Sequence, residues 1–188
     1  MSKKILIEKF KSELIKVNGD CFVFKNLSEA LKELKSIIAK EKIKNIAIST
    51  KTDIAKSIFD ELKKDSSVTI ESVEELNKTN SILKDNLKNI DLGISCADFL
   101  VAETGSVILK SSTDEPRLLS LLPESHIVIS TSEQIIERLE DAVDFLSIEN
   151  WVTVITGPSR TADIEKVLVT GVHGPKKLYV FINDIEIS

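Results

Sequence analysis

Residues Asn45–Ile70, NIAISTKTDIAKSIFDELKKDSSVTI, decide the fold class. The piece begins with Ile46, Ala47 and Ile48 in an uninterrupted apolar run, the pattern of a strand covered on both faces. Thr52 and Asp53 then open a helix, and Ile54, Ala55, Ile58, Phe59 and Leu62 lie on one stripe of it. Val68 to Ile70 returns as a second strand. A helix between two such strands is the crossover that joins parallel neighbours, so this stretch predicts a parallel sheet with helices on its faces.

The pattern extends in both directions. Upstream, Leu27, Ala30, Leu31, Leu34, Ile37 and Ile38 fall on one helical face behind a cap at Asn26 or Ser28, and Cys21 to Phe24 reads as a short strand. Before that, Lys3 to Val17 has an uneven helical pattern that stops at Asn18-Gly19, which predicts a peripheral helix. Downstream, Glu71 to Ile90 is polar, with a helix expected at Ser81 to Leu87. Strands follow at Leu92–Ser95 and Ser106–Lys110, joined by the segment from Cys96 to Gly105. Pro116 and Pro123 bracket a short helical piece, and His126–Ser130 is a strand. Thr131 and Gln134 form a capping box that predicts a helix with Ile135, Ile136, Leu139, Ala142 and Val143 inward. Trp151–Ile155 reads as a buried strand, and Val167–Val169 and Lys177–Ile182 complete the set. The expectation is one α/β domain over residues 1–188, a sandwich with a mainly parallel central sheet.

Composition bounds the function. The chain has 188 residues, 42% hydrophobic and 29% charged, with a net charge of −5, which is the make-up of a globular domain. Lys63-Lys64 is matched by Asp60, Glu61 and Asp65, and no basic stripe carries interleaved aromatics, so nucleic-acid binding is not expected. The charged start, MSKKILIEKF, does not read as a signal peptide, and no apolar run has the length of a membrane span; a cytoplasmic protein is expected. Cys21 and Cys96 are far apart, which leaves no ligand set for an iron–sulfur cluster within the chain. His126 and His173 lack an H-E-x-x-H context, so no metal site is expected. His126, opening an apolar strand, reads as packing.

Three loops carry residues suited to chemistry. Thr156 to Thr161 follows a strand, where ligands of α/β sheets collect, and offers Gly157 for close backbone approach, the hydroxyls of Ser159 and Thr161, and the planar cation of Arg160. The same loop read blandly is a turn shaped by Pro158 with a solvated arginine. Gly171 to Pro175 sets His173 between two glycines, where an imidazole either exchanges a proton or simply fills a bend. Ala102 to Gly105 puts Glu103 between an apolar run and a turn, as a base, a nucleophile, or a partner of Arg117 or Arg160. Asp98 is a weaker candidate of the same kind.

Taken together these stretches resemble one family. The run from Ile94 to Val107 (ISCADFLVAETGSV), Pro116-Arg117, Leu122-Pro123, His126-Ile127-Val128, the segment from Thr156 to Glu165 (TGPSRTADIE) and Gly171 to Pro175 (GVHGP) are similar to the core of the bacterial LUD-domain proteins, in their short single-domain form. The resemblance implies a fold of the sugar-phosphate isomerase/CoA-transferase type. It also implies service in L-lactate oxidation to pyruvate as a non-redox subunit beside partner proteins that carry iron–sulfur clusters. On that reading Glu103 and His173 are the catalytic candidates. A small carboxylate or phosphate would be held by Thr104, Gly105, Ser106, Arg117, Gly157, Ser159, Arg160, Thr161, Asp163 and Gly174. A homo-oligomer is compatible with it. The competing expectations are a free-standing enzyme on a phosphorylated sugar or acyl-CoA with Glu103 as nucleophile or base, and a ligand-sensing protein without chemistry.

Overall fold

The computed structural model describes residues 2–78, 87–113, 115–148, 151–162, 168–170 and 174–184. Strands β1 (Asp20–Phe24), β2 (Asn45–Ile48), β3 (Thr69–Ser72), β4 (Leu92–Cys96), β7 (Ser125–Thr131) and β12 (Lys177–Asn183) form a six-stranded sheet in the order β1-β12-β7-β4-β2-β3. Every pair in it is parallel. The expected mainly parallel sheet flanked by helices is therefore what the chain forms.

Two helices cover one face. In α2 (Leu27–Glu41) the Asn26 side chain accepts from the Glu29 amide and the helix buries Ala30, Leu34 and Ile37. In α3 (Asp53–Leu62) the Thr52 hydroxyl accepts from the Ala55 amide and the helix buries Ala55, Ile58 and Leu62. Both stripes meet Phe24, Ile46, Ile48, Ile94, Ile127, Ile129 and Phe181 of the sheet. Alternate strand residues, Val128, Val180 and Ile182, point to the other face, as the two-residue pleat requires.

That second face holds the main departures from expectation. Helix α1 (Lys3–Lys16) is not peripheral: Phe10 and Leu14 are fully buried against Val128, Val180 and Ile182 on one side and Leu100, Val107 and Leu109 on the other. Its stripe looked uneven because Ile5 and Ile15 remain exposed, at 54% and 55%. Beyond α1 lies a second sheet, in the order β8-β5-β6-β9, built from β5 (Phe99–Val101), β6 (Ser106–Lys110), β8 (Ile135–Ile136) and β9 (Val152–Ile155).

The helix expected after Thr131 does not form as a unit. Its capping box closes only a 3-10 turn, Ser132–Gln134, after which Ile135 and Ile136 pair with Leu100 and Val101. Two β-branched residues gain more from that ladder than from a helix, where their side-chain torsions are crowded. Helix resumes as α5 (Val143–Ile148), which packs Phe145 and Leu146 on the outer face of the second sheet. The Trp151 strand proves half-buried, with Trp151 itself exposed. Helix α4 (Val73–Asn77) closes the layer beside β3 with a capping box between Ser72 and Glu75. Strands β10 (Arg160–Ala162) and β11 (Leu168–Thr170) pair with each other. Of the helix expected at Ser81–Leu87, all but Leu87 falls outside the described residues.

Candidate functional site

In an open parallel sheet the crevice lies where neighbouring strands send their connections to opposite sides. Here β2 continues through α3 to β3 on one side, whereas β4 leads to β7 on the other. The carboxyl ends of β2 and β4 therefore frame the crevice. It is built by Ser49–Thr52 after β2, Cys96 at the end of β4, Asp98 after it, and Glu115, which folds back over both.

Hydrogen bonds lock this cluster. The Cys96 amide donates to Glu115 Oε2 at 3.0 Å, and the Thr52 hydroxyl stands 3.5 Å from the Cys96 sulfur. Lys51 Nζ donates to Asp98 Oδ1 at 2.8 Å, and the Lys110 amide donates to Asp98 Oδ2 at 2.6 Å. The Glu115 and Ser112 backbones and the Ser112 hydroxyl close a tight turn that delivers the carboxyl inward. The Ser49 hydroxyl is buried beside this carboxyl, yet makes no hydrogen bond of acceptable geometry among the described residues. A cleft of about 310 Å³ lined by Thr50, Lys51, Lys56, Val73 and Glu74 opens next to it, so Lys51 belongs to both cleft and cluster.

Glu115 is only 2% exposed. Burial pushes its carboxyl up to about 7, against the opposing pull of the Cys96 amide, Ser49 and Lys51. It thus exchanges its proton near neutrality, the property of a general acid or base. Lys51 keeps its charge: burial lowers its pKa, but the Asp98 hydrogen bond and charge outweigh that and leave it above the ordinary lysine value. Burial pushes the Cys96 thiol up to about 11 and the Cys21 thiol up to about 12, so both stay protonated. Cys21 lies on β1 and Cys96 on β4, three strand spacings or roughly 14 Å apart across the sheet. They cannot share a cluster.

The loops singled out in the sequence do converge, but at the opposite end of the sheet. Thr104 and Ser106 hydroxyls are 2.7 Å apart, and Ser106 is 2.7 Å from the Thr156 hydroxyl, giving a three-hydroxyl chain across two loops. The expectation that the Thr156 loop sits at carboxyl strand ends does not hold for the parallel sheet. It continues β9 of the second sheet and lies against His126 and Leu178, near the amino ends of β7 and β12.

Helix α1 accounts for several of the residues expected to bind an anion. Gly105 (φ +64°) leaves room for the Glu13–Leu14 backbone, and Gly157 (φ +81°) for the Val17 carbonyl. The Arg160 guanidinium donates to that same Val17 carbonyl, closing the open end of α1. Glu103 is half-buried and accepts from the Leu139 amide at 3.3 Å, with neither arginine as its partner. Arg117 stacks on the exposed Trp151 ring, 4.9 Å from its centre. Ser159 and Gly174 line a pocket of about 220 Å³ together with Thr156, Gly157 and His126. His173 and Asp163 lie outside the described residues, and the Thr161 side chain is likewise not described.

His126 read in sequence as packing. It is fully buried, but its Nε2 is 2.7 Å from the Ser95 hydroxyl and its Nδ1 has no partner among the described residues. Sequence reasoning missed Ser49, Lys51, Thr52 and Glu115 as site residues and ranked Asp98 low. The available signal was position: a Ser-Thr-Lys-Thr run directly after a doubly covered strand.

Comparison with known proteins agrees with this architecture. The LUD domain family model matches residues 7–182. Lactate utilization protein C of Bacillus subtilis is 42% identical over 113 residues, covering 54% of this chain and 47% of that protein. Its counterpart in Oceanobacillus iheyensis is 36% identical over 115 residues, covering 55% and 49%. The chain spans about half the length of the curated relatives it matches. A crystal structure of a DUF162 family protein from Deinococcus radiodurans superposes with a TM-score of 0.65, covering 97% of this chain and 98% of the other at 16% identity, a likeness of fold.

Proposed function

Because this chain belongs to the LUD-domain family, we propose that it serves lactate utilization as a component without redox centres, binding a small carboxylate in the crevice at the carboxyl ends of β2 and β4. What supports the reading is the closeness there of Lys51, held by Asp98, to the buried carboxyl of Glu115, which burial pushes up to about 7. A protonated Glu115 donates a hydrogen bond to a carboxylate rather than repelling it. Lys51 supplies the charge, and Ser49 and the first turn of α3 supply further donors.

The lactate context comes from relatives named for lactate utilization. Oxidising a 2-hydroxy acid to a 2-oxo acid releases two electrons and two protons. In this reading partner proteins with iron–sulfur clusters take the electrons; what supports it is that Cys21 and Cys96 lie on separate strands.

Reconstitution tests the proposal. The purified chain alone should give no lactate-dependent electron transfer, and adding it to its iron–sulfur partners should restore it. Full activity of the partners without this chain would overturn the assignment.

A further inference from the structure

The pocket of about 220 Å³ at the amino ends of β7 and β12 has a different chemistry from the crevice. No described residue that lines it is Asp, Glu, Lys or Arg. Its walls include Leu121, Ile155 and Leu178, and its rim carries the Thr156 and Ser159 hydroxyls. The Ser159 amide holds the rim in place by donating to the Pro175 carbonyl at 2.9 Å. Beneath it sits His126, which is 0% exposed.

The imidazole is half-satisfied. Nε2 is engaged with Ser95 Oγ at 2.7 Å, while Nδ1 is buried without a hydrogen-bond partner among the described residues. Buried polar atoms in native proteins are nearly always paired, and His126 belongs to the lining of this pocket. We propose that this pocket is a second ligand site, which takes a small uncharged molecule carrying a hydroxyl or carbonyl oxygen beside a short aliphatic group, with His126 Nδ1 as its hydrogen-bonding anchor.

Charge and size set the ligand class. Burial holds His126 neutral, its pKa down at about 3. A carboxylate entering the pocket would lose its hydration with no cation to replace it, whereas an amide, alcohol or ketone keeps its hydrogen bonds and buries its methyl groups. The volume falls below the roughly 300–1,000 Å³ of pockets for drug-sized ligands. The site is independent of the crevice, which sits at the other end of the strands.

Acetamide and acetate, nearly equal in shape and different in charge, are the probes. The chain has two histidines, so ¹⁵N-histidine labelling reports two imidazoles, His126 and His173. Acetamide should shift the His126 Nδ1 resonance saturably, with at least tenfold higher affinity than acetate. The variant Ser95→Ala/His126→Phe, which removes both polar partners together, should fold and lose acetamide binding. Gly174→Leu keeps His126 and fills the pocket, since a side chain there starts 3.0 Å from Ser159 Cβ; it should weaken acetamide binding at least tenfold. Equal affinity for acetate, an unmoved His126 Nδ1, or full binding by Gly174→Leu would each overturn the proposal.

Discussion

Replacing Glu115 by Gln should change the pH dependence of stability in a way set by one buried carboxyl. Its pKa rises from the ordinary 4.5 to about 7 because the folded chain strips it of water. Between those values the folded state holds a proton that the unfolded state has released, so stability falls with rising pH. Each unit is about 1.4 kcal/mol, and a displacement of roughly two to three units gives about 3 kcal/mol in all. That contribution is complete below pH 4.5 and gone above pH 7. Gln keeps an oxygen for the Cys96 amide and never ionises. Urea unfolding at pH 5, 6, 7 and 8 should show the variant gaining on the parent by about 1.4 kcal/mol per unit and levelling off near 3 kcal/mol above neutrality. A gap that stays constant to within about 0.5 kcal/mol over that range would refute the burial argument.

Other perturbations address separate links. His126→Gln should flatten the acid limb: the native imidazole is held neutral by burial, its pKa near 3, so stability is full above pH 6.5 and is lost as pH falls toward 3, as acid unfolding curves will report. Phe10→Ala should cost about 3–5 kcal/mol in urea unfolding, because α1 fills the space between the two sheets; a loss under about 1 kcal/mol would return that helix to the periphery. Gly105→Ala places a side chain against the Glu13–Leu14 backbone at a left-handed φ, and should cost at least about 2 kcal/mol and expose α1 to limited proteolysis.

The parallel sheet was readable because each of its elements declares itself locally: uninterrupted runs such as Ile46–Ile48 and one-sided stripes such as that of α3. The second sheet was not, because Phe99–Val101 becomes a strand by pairing with β6, and Ile135–Ile136 only by pairing with Leu100 and Val101, across more than thirty intervening residues. The same division runs through the candidate site. The Thr104, Ser106 and Thr156 group looked like ligand chemistry by residue type, and the chain does bring it together. What sequence could not convey is that Gly105, Gly157 and Arg160 all face the end of α1. Glu115 sits in a polar stretch, SSTDE, and only folding over β4 buries it and gives it a proton near neutrality.

The most direct test of the account compares Lys51→Ala with Arg160→Ala by calorimetric titration of L-lactate and pyruvate at pH 6.5. Asp98 keeps the hydrogen bond from the Lys110 amide when Lys51 is removed, and urea unfolding of Lys51→Ala checks that the variant is folded before it is titrated. The account predicts that Lys51→Ala loses carboxylate binding at least tenfold while Arg160→Ala, whose guanidinium closes α1, retains it. Unchanged affinity in Lys51→Ala with loss in Arg160→Ala would move the ligand to the other end of the sheet and contradict the assignment.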